Sequence, residues 1–126
     1  LFASQFYPNG PATAHKSLNQ MQRACISADH ALRMREIIGD VDIQALLKDI
    51  KVPTLVTHSR GDKVHPVEYG KALANGIPGA RFVSLQSENH MLLDDEPAFK
   101  RLADELSEFL GGVANSTAFK DVSDTP

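Results

Sequence analysis

Apolar residues along this chain fall into two short β-type runs set among longer helical patterns. The first run, Thr-Leu-Val-Thr at 54–57, follows Pro53 and is rich in β-branched residues, which is typical of a short buried strand. Proline is tolerated at the start of a strand. The second run, Arg-Phe-Val-Ser-Leu at 81–85, has the same character. The pattern therefore predicts two strands.

The segment between the two runs predicts a helix over 66–75, opened by Pro66 and ended by Gly76. A strand–helix–strand unit of this length implies parallel strands joined by a right-handed crossover. The expected fold class is therefore α/β.

Helical spacing of apolar residues predicts two helices ahead of the first strand, over 13–26 and 28–38. Ser27 is the expected N-cap of the second of these helices. Gly39 is the expected residue just past its end, at the position where helices often close with a left-handed glycine.

Two further amphipathic segments lie close to the strands. A short helix is expected over 40–50, with Asp42 as its cap. A long helix is expected after the second strand, with Asp95 as N-cap and Pro97 in the first turn. Gly-Gly at 111–112 is expected to end it.

One acidic residue and one histidine follow the two predicted strands. Asp62 comes after a Ser-Arg-Gly turn behind the first strand, and His90 stands in the loop behind the second. The carboxyl ends of parallel strands meet at one edge of a sheet, where α/β proteins bind ligands. Asp62 and His90 are therefore the candidate catalytic residues, two of the three groups of a nucleophile–acid–histidine arrangement.

The two loops resemble the end of an α/β-hydrolase domain. PTLVTHSRGDKVHP at 53–66 is similar to that family's seventh strand and acid loop, and ARFVSLQSENHMLLDDEPAF at 80–99 is similar to its eighth strand and histidine loop. The resemblance implies that Asp62 is the triad acid and His90 the triad histidine. Ser59 and Asn89 stand where the family often has glycine.

The resemblance also implies a nucleophilic serine in a G-x-S-x-G elbow ahead of the acid and the histidine. None of the 126 residues forms that motif. We therefore expect the C-terminal fragment of a truncated α/β-hydrolase fold. Its expected parts are a helical lid or cap remnant at 1–40, the last strands and helices of the domain at 41–111, and a polar tail or linker at 112–126.

Two strands alone leave a sheet edge unpaired and apolar faces uncovered. The expected partner is a second copy of the chain or the missing N-terminal half of the domain. Two roles are open for three apolar residues of the lid region, Phe6, Met21 and Met34: lining a ligand pocket or packing in a core. Core packing is the favoured interpretation.

Three functions stay open. The first is a fragment of a hydrolase that cleaves an ester or amide. The second is a non-catalytic ligand-sensing module, because the chain also resembles the hydrolase-type domains fused to LuxR-type transcriptional regulators and adenylate-cyclase-like signalling proteins. The third is an isolated dimerisation piece. A small-molecule substrate or ligand is the expected partner of the first two.

Composition narrows these choices. A net charge of −3 and a pI near 5.9 argue against a nucleic-acid-binding or membrane-binding face. No apolar run reaches the roughly 18 residues of a membrane helix. A single cysteine, Cys25, excludes an internal disulfide and favours a reducing, cytoplasmic location. We expect Cys25 to be a small buried core residue.

The remaining polar residues near the candidate site have simpler interpretations. His58 and His65 flank Asp62 without a third ligand at a defined spacing, so we expect surface-loop histidines rather than a metal site. Asp94, Asp95 and Glu96 place favourable charge at a helix N-terminus. No cofactor is expected.

Overall fold

The fold contains a two-stranded parallel sheet, seen in a computed structural model of which we describe residues 3–115. The strands are β1 (Leu55–Ser59) and β2 (Arg81–Leu85). The helices, in chain order, are α1 (Ala3–Phe6), α2 (Ala12–Cys25), α3 (Ala28–Gly39), α4 (Val67–Gly76) and α5 (Pro97–Asn115). A 3₁₀-helix, Gln44–Asp49, precedes β1.

The strands pair in parallel, as the sequence predicts. The register joins Leu55 to Arg81 at one end and Ser59 to Leu85 at the other. The ladder continues beyond the strand end, because Arg60 N donates to Leu85 O over 2.9 Å. Both strands therefore deliver their next residues to the same edge of the sheet.

Helix α4 connects the strands and packs against β1, β2 and the 3₁₀-helix. The chain leaves α4 through Ile77-Pro78-Gly79, where Gly79 adopts a φ of 75°. A residue with a Cβ rarely adopts this left-handed conformation, so glycine suits the turn. The turn returns the chain to β2 alongside β1.

Of the two predictions made for the ends of α3, the one for its start is confirmed and the one for its end is wrong. Ser27 caps α3 as predicted, because its Oγ accepts the His30 N–H over 3.3 Å. The prediction for Gly39 was wrong, since this glycine is the last residue of α3 and is not left-handed. Asp40, in a right-handed conformation, donates its N–H to the carbonyls of Ile37 and Ile38 instead.

The segment predicted as a helix over 40–50 forms the tighter 3₁₀-helix over only six residues. The N-cap residue is Ile43 and not Asp42 as expected, although Asp42 Oδ1 accepts the N–H of Gln44, the first residue of the 3₁₀-helix, over 2.9 Å. A short segment between two extended stretches suits the 3₁₀ geometry, which proteins use in short connectors.

Helix α5 runs past the point where the sequence predicted its end. It continues through the two glycines at 111–112 to Asn115. Glycine weakens a helix by only about 1 kcal/mol per residue relative to alanine, so it does not by itself stop one. The rest of the predicted polar tail lies outside the described residues.

A network of charged residues holds α5 to the sheet. Arg81, the first residue of β2, contacts Glu105 Oε2 over 2.7 Å and Glu108 Oε1 over 2.8 Å. Glu105 is buried and also pairs with Arg101. Because a buried carboxylate is stable only with such partners, the network fixes the position of α5 on β2.

The apolar core of the described residues is small and consists of residues from six helical and strand elements and from the turn after α4: Ala3, Leu18, Leu47, Ala74, Ile77, Leu85 and Ala98. Large apolar side chains on α3 are exposed instead, with Leu32 at 63% and Ile37 at 69%.

Within residues 3–115, no helix is long and apolar enough to cross a membrane.

Three core predictions on α2 and α3 were wrong. Met21 and Met34 are about half exposed and Cys25 is exposed. Their helical spacing places them on apolar stripes, but no described element covers those stripes.

Candidate active site

The loop after β1, which we call the acid loop (60–66), is shaped by the carboxylate of Asp62. Asp62 Oδ1 accepts the N–H of Val64 over 2.8 Å and that of His65 over 3.1 Å. Gly61 N donates to Ser87 O over 2.9 Å and so ties this loop to the one after β2. The Asp62 side chain is only 3% exposed.

The loop after β2, which we call the histidine loop (86–96), is closed by the carboxylate of Glu96. Glu96 accepts hydrogen bonds from Ser87 Oγ over 2.6 Å, from Leu93 N over 2.6 Å and from Asn89 Nδ2 over 3.3 Å. From the sequence, the role predicted for Glu96 was only that of a favourable negative charge at a helix N-terminus. The Asn89-x₆-Glu96 spacing carries no signal that would have identified this role.

Asn89, which stands where hydrolases often have glycine, is buried and takes part in the same network. Its backbone N donates to Ser87 Oγ over 2.9 Å, and its Oδ1 accepts the Asn9 N–H over 3.4 Å. The amide therefore adds side-chain bonds that a glycine would lack. Ser59, the other departure, is also buried.

The structure brings Asp62 and His90 together. Asp62 Oδ2 lies 2.7 Å from His90 Nδ1. An ionised carboxylate only accepts, so Nδ1 carries the proton and Nε2 keeps its lone pair for another donor. Nε2 has no hydrogen-bond partner among the described residues. A ring held in this way can act as a general base.

The environment favours the ionised form of Asp62. Burial raises the pKa of the carboxyl, but the hydrogen bond from His90 and the backbone N–H groups of His65 and Val64 lower it, with a further contribution from the positive charge that His90 carries when it is protonated. The net effect places the pKa of Asp62 below its ordinary value. The acid is therefore ionised and able to orient the imidazole at neutral pH.

The short helix α1 holds the opposite side of His90. Phe6 O accepts the His90 N–H over 2.9 Å, and the Phe6 ring meets the imidazole edge to face, with centroids 5.0 Å apart. Of the three residues considered for the lid, Phe6 alone is placed at the candidate site by a described contact. Met21 and Met34 lie on α2 and α3 and are exposed.

The two histidines that flank Asp62 differ. His65 is exposed, as expected for a loop residue, with its ring centroid 5.4 Å from that of His90. The same expectation was wrong for His58, which belongs to β1 and whose side chain is only 14% exposed. No group of three potential ligands among the described residues is arranged to hold a metal ion.

A cleft of about 660 Å³ lies between the acid loop, the histidine loop and the start of α5. Arg60, Glu88, Asn89 and Glu96 are among its lining residues, whereas Asp62 and His90 are not. The cleft is thus adjacent to the acid–histidine pair but does not contain it.

Comparison with known proteins finds three distant relatives. "AB hydrolase superfamily protein YisY" of Bacillus subtilis (strain 168) is 30% identical over 79 residues, 63% of this chain and 27% of the relative. "Putative carbamate hydrolase RutD" of Stutzerimonas stutzeri (strain A1501) is 34% identical over 85 residues, 66% of this chain and 32% of the relative. A protein of the same name from Pseudomonas savastanoi pv. phaseolicola (strain 1448A / Race 6) is 32% identical over 81 residues, 63% and 31% of the two chains.

No family model and no solved structure matches the chain. The chain spans about a third of the length of the curated relatives it matches. Together with the parallel strands, these relatives support an α/β-hydrolase-like region. They do not bear on a fusion to a regulator or a cyclase.

Proposed function

We propose that this chain is the C-terminal part of an α/β-hydrolase-fold domain and carries the acid and the histidine of a Ser-Asp-His triad. Asp62 is the acid, His90 is the base, and the nucleophilic serine comes from residues outside this sequence. The observation that carries the proposal is the 2.7 Å hydrogen bond between Asp62 Oδ2 and His90 Nδ1. It leaves Nε2 as the nitrogen that meets the serine.

The reaction is hydrolysis of an ester or amide. His90 Nε2 accepts the serine proton as the serine oxygen attacks the acyl carbon, and it then returns that proton to the departing alcohol or amine. Water, activated by the same nitrogen, releases the acid from the acyl-enzyme. Asp62 stays ionised throughout and stabilises the imidazolium. Two relatives are named as carbamate hydrolases, so a carbamate is a reasonable member of a substrate panel.

The exposed apolar residues of α3 support a missing partner. We propose that the N-terminal half of the domain, or a second copy of this chain, covers them. Sedimentation of the 126-residue chain at low micromolar concentration distinguishes the two. A homodimer at that concentration favours the second copy, and a monomer contradicts it and leaves the N-terminal half.

The coding region on both sides of this segment tests the functional proposal. An upstream G-x-S-x-G motif between a predicted strand and a predicted helix is the expected result. A domain without a serine there, particularly one followed by a helix-turn-helix or a cyclase domain, would contradict a catalytic role. The ligand-sensing alternative would then apply, with Asp62 and His90 as pocket residues.

A further inference from the structure

Asp62 is approached by a second imidazole besides that of His90. His58 Nε2 lies 3.4 Å from Asp62 Oδ2 and 2.9 Å from the carbonyl oxygen of His65. A carbonyl oxygen only accepts, so His58 Nε2 carries a proton and donates it. The proposed triad makes no use of this third residue.

The His58 ring is enclosed by the fold. It projects from β1 against α4, where a Cβ added to Gly70 would come within 2.6 Å of His58 Nδ1 and 3.0 Å of His58 Cγ. Gly70 is buried, and the His58 ring fills the space that a side chain at position 70 would occupy. Helix α4 therefore presses the imidazole towards the acid loop and fixes the direction of Nε2.

The bond from His58 reaches the far end of the turn that orients Asp62. The N–H groups of Val64 and His65 hold Asp62 Oδ1, while the carbonyl of His65 is held by His58. One peptide segment is thus fixed at its N–H side by Asp62 and at its C=O side by β1. Without the His58 bond, the His65 end of the turn has no such tie to the strand.

We propose that His58 is a positioning residue for the acid–histidine pair. By donating Nε2–H to the His65 carbonyl, it holds the acid loop in the shape that directs Asp62 Oδ2 at His90 Nδ1. The effect on turnover rests on the proposed hydrolase function, but the effect on the Asp62–His90 hydrogen bond does not. A misplacement of about 1 Å at such a pair can cost about 100-fold in rate.

Glutamine and methionine at position 58 test the proposal as a matched pair. The side-chain nitrogen of Gln is an N–H donor three bonds from Cβ, the same number of bonds that separates Nε2 from Cβ in histidine. Met has a side chain of similar length but no donor. His30→Met, at an exposed position on α3, controls for loss of a histidine. The readout is the low-field NMR signal of the His90 Nδ1 proton in the 126-residue chain.

We expect His58→Met to broaden or abolish that signal by faster exchange, and His58→Gln and His30→Met to keep it. In the complete protein, His58→Met should lower kcat by about tenfold to 100-fold at unchanged KM, with rescue in His58→Gln. A signal that persists in His58→Met, or that is lost equally in both variants, overturns the proposal.

A second measurement needs no variant and applies even if His58→Met does not fold. Nitrogen-15 chemical shifts of the His58 ring in the unmodified chain report which nitrogen bears the proton. Protonated Nε2 supports the proposal, and bare Nε2 with protonated Nδ1 overturns it. Absence of turnover in the complete protein, with the hydrogen-bond readouts as expected, would reject only the hydrolase function.

Discussion

The acid and histidine loops and the helices α2 and α3 are organised in opposite ways. In the loops, the carboxylates of Asp62 and Glu96 accept hydrogen bonds from backbone and side-chain donors of their own loops. Helices α2 and α3 carry amphipathic patterns, yet α3 has no buried residue and α2 has one, Leu18. The candidate site is therefore fixed by hydrogen bonds within and between its loops, whereas these helices present apolar stripes that the described residues leave uncovered.

This difference has an energetic meaning. A helix gains most of its stability in proteins from packing its apolar face, and α3 lacks that contribution. The two loops directly follow β1 and β2, which pair along their whole length. The comparison predicts that side-chain truncations near the sheet are costly and that matched truncations on α3 are not.

The largest difference is expected between Leu85→Ala and Leu32→Ala. Leu85 is 3% exposed at the end of β2, and its truncation should lower the free energy of unfolding by about 2–5 kcal/mol. Leu32, exposed on α3, should change it by at most about 0.5 kcal/mol. Denaturant unfolding measures both, and equal losses would show that α3 is packed in solution.

A smaller effect is expected from Glu96→Gln. The substitution removes a charge and one acceptor oxygen from a site that holds Ser87, Asn89 and Leu93, so unfolding should be easier by about 2 kcal/mol. Glu36→Gln, exposed on α3, is the control and should leave the midpoint of unfolding unchanged. A null result for Glu96→Gln would mean that the histidine loop holds its shape without this carboxylate.

The acid loop should also respond to pH. Because the folded-state pKa of Asp62 is lowered, its contribution to stability is present above the unfolded pKa of about 4 and is lost as the pH falls through the folded value. Asp62→Asn should therefore flatten the fall in stability below about pH 4. Unfolding curves from pH 7 to pH 2 measure this, with Asp29→Asn on α3 as control. Parallel curves for Asp62→Asn and the unmodified chain would refute the coupling.

The smallest effect is expected at the cap of α3. Ser27→Ala removes the acceptor of the His30 N–H and should cost about 1 kcal/mol or less. On an unpacked helix the loss should appear as fraying, seen as faster amide exchange at the start of α3, rather than as a shift in global unfolding. Ser17→Ala, exposed within α2, should leave these amides unchanged. Unchanged exchange in Ser27→Ala would show that the cap is not formed.

The sequence predicted the strands, their parallel pairing and the placing of Asp62 and His90 at one edge, because apolar runs and turn residues are local signals. It misjudged Cys25, Met21 and Met34, since helical spacing identifies an apolar face and not what covers it. It also misjudged His58, because the burial of that ring depends on the close approach of Gly70 from α4. The role of Glu96 arises from a loop conformation that no residue pattern marks.

The most direct test of the proposed triad is the effect of His90→Ala on ester hydrolysis by the complete hydrolase domain that we propose. We expect kcat/KM to fall by about 10³-fold or more, while His30→Ala, at an exposed position on α3, stays close to the unmodified protein. Unchanged hydrolysis in His90→Ala, or no hydrolysis in any form, would contradict the assignment of Asp62 and His90 as a catalytic pair.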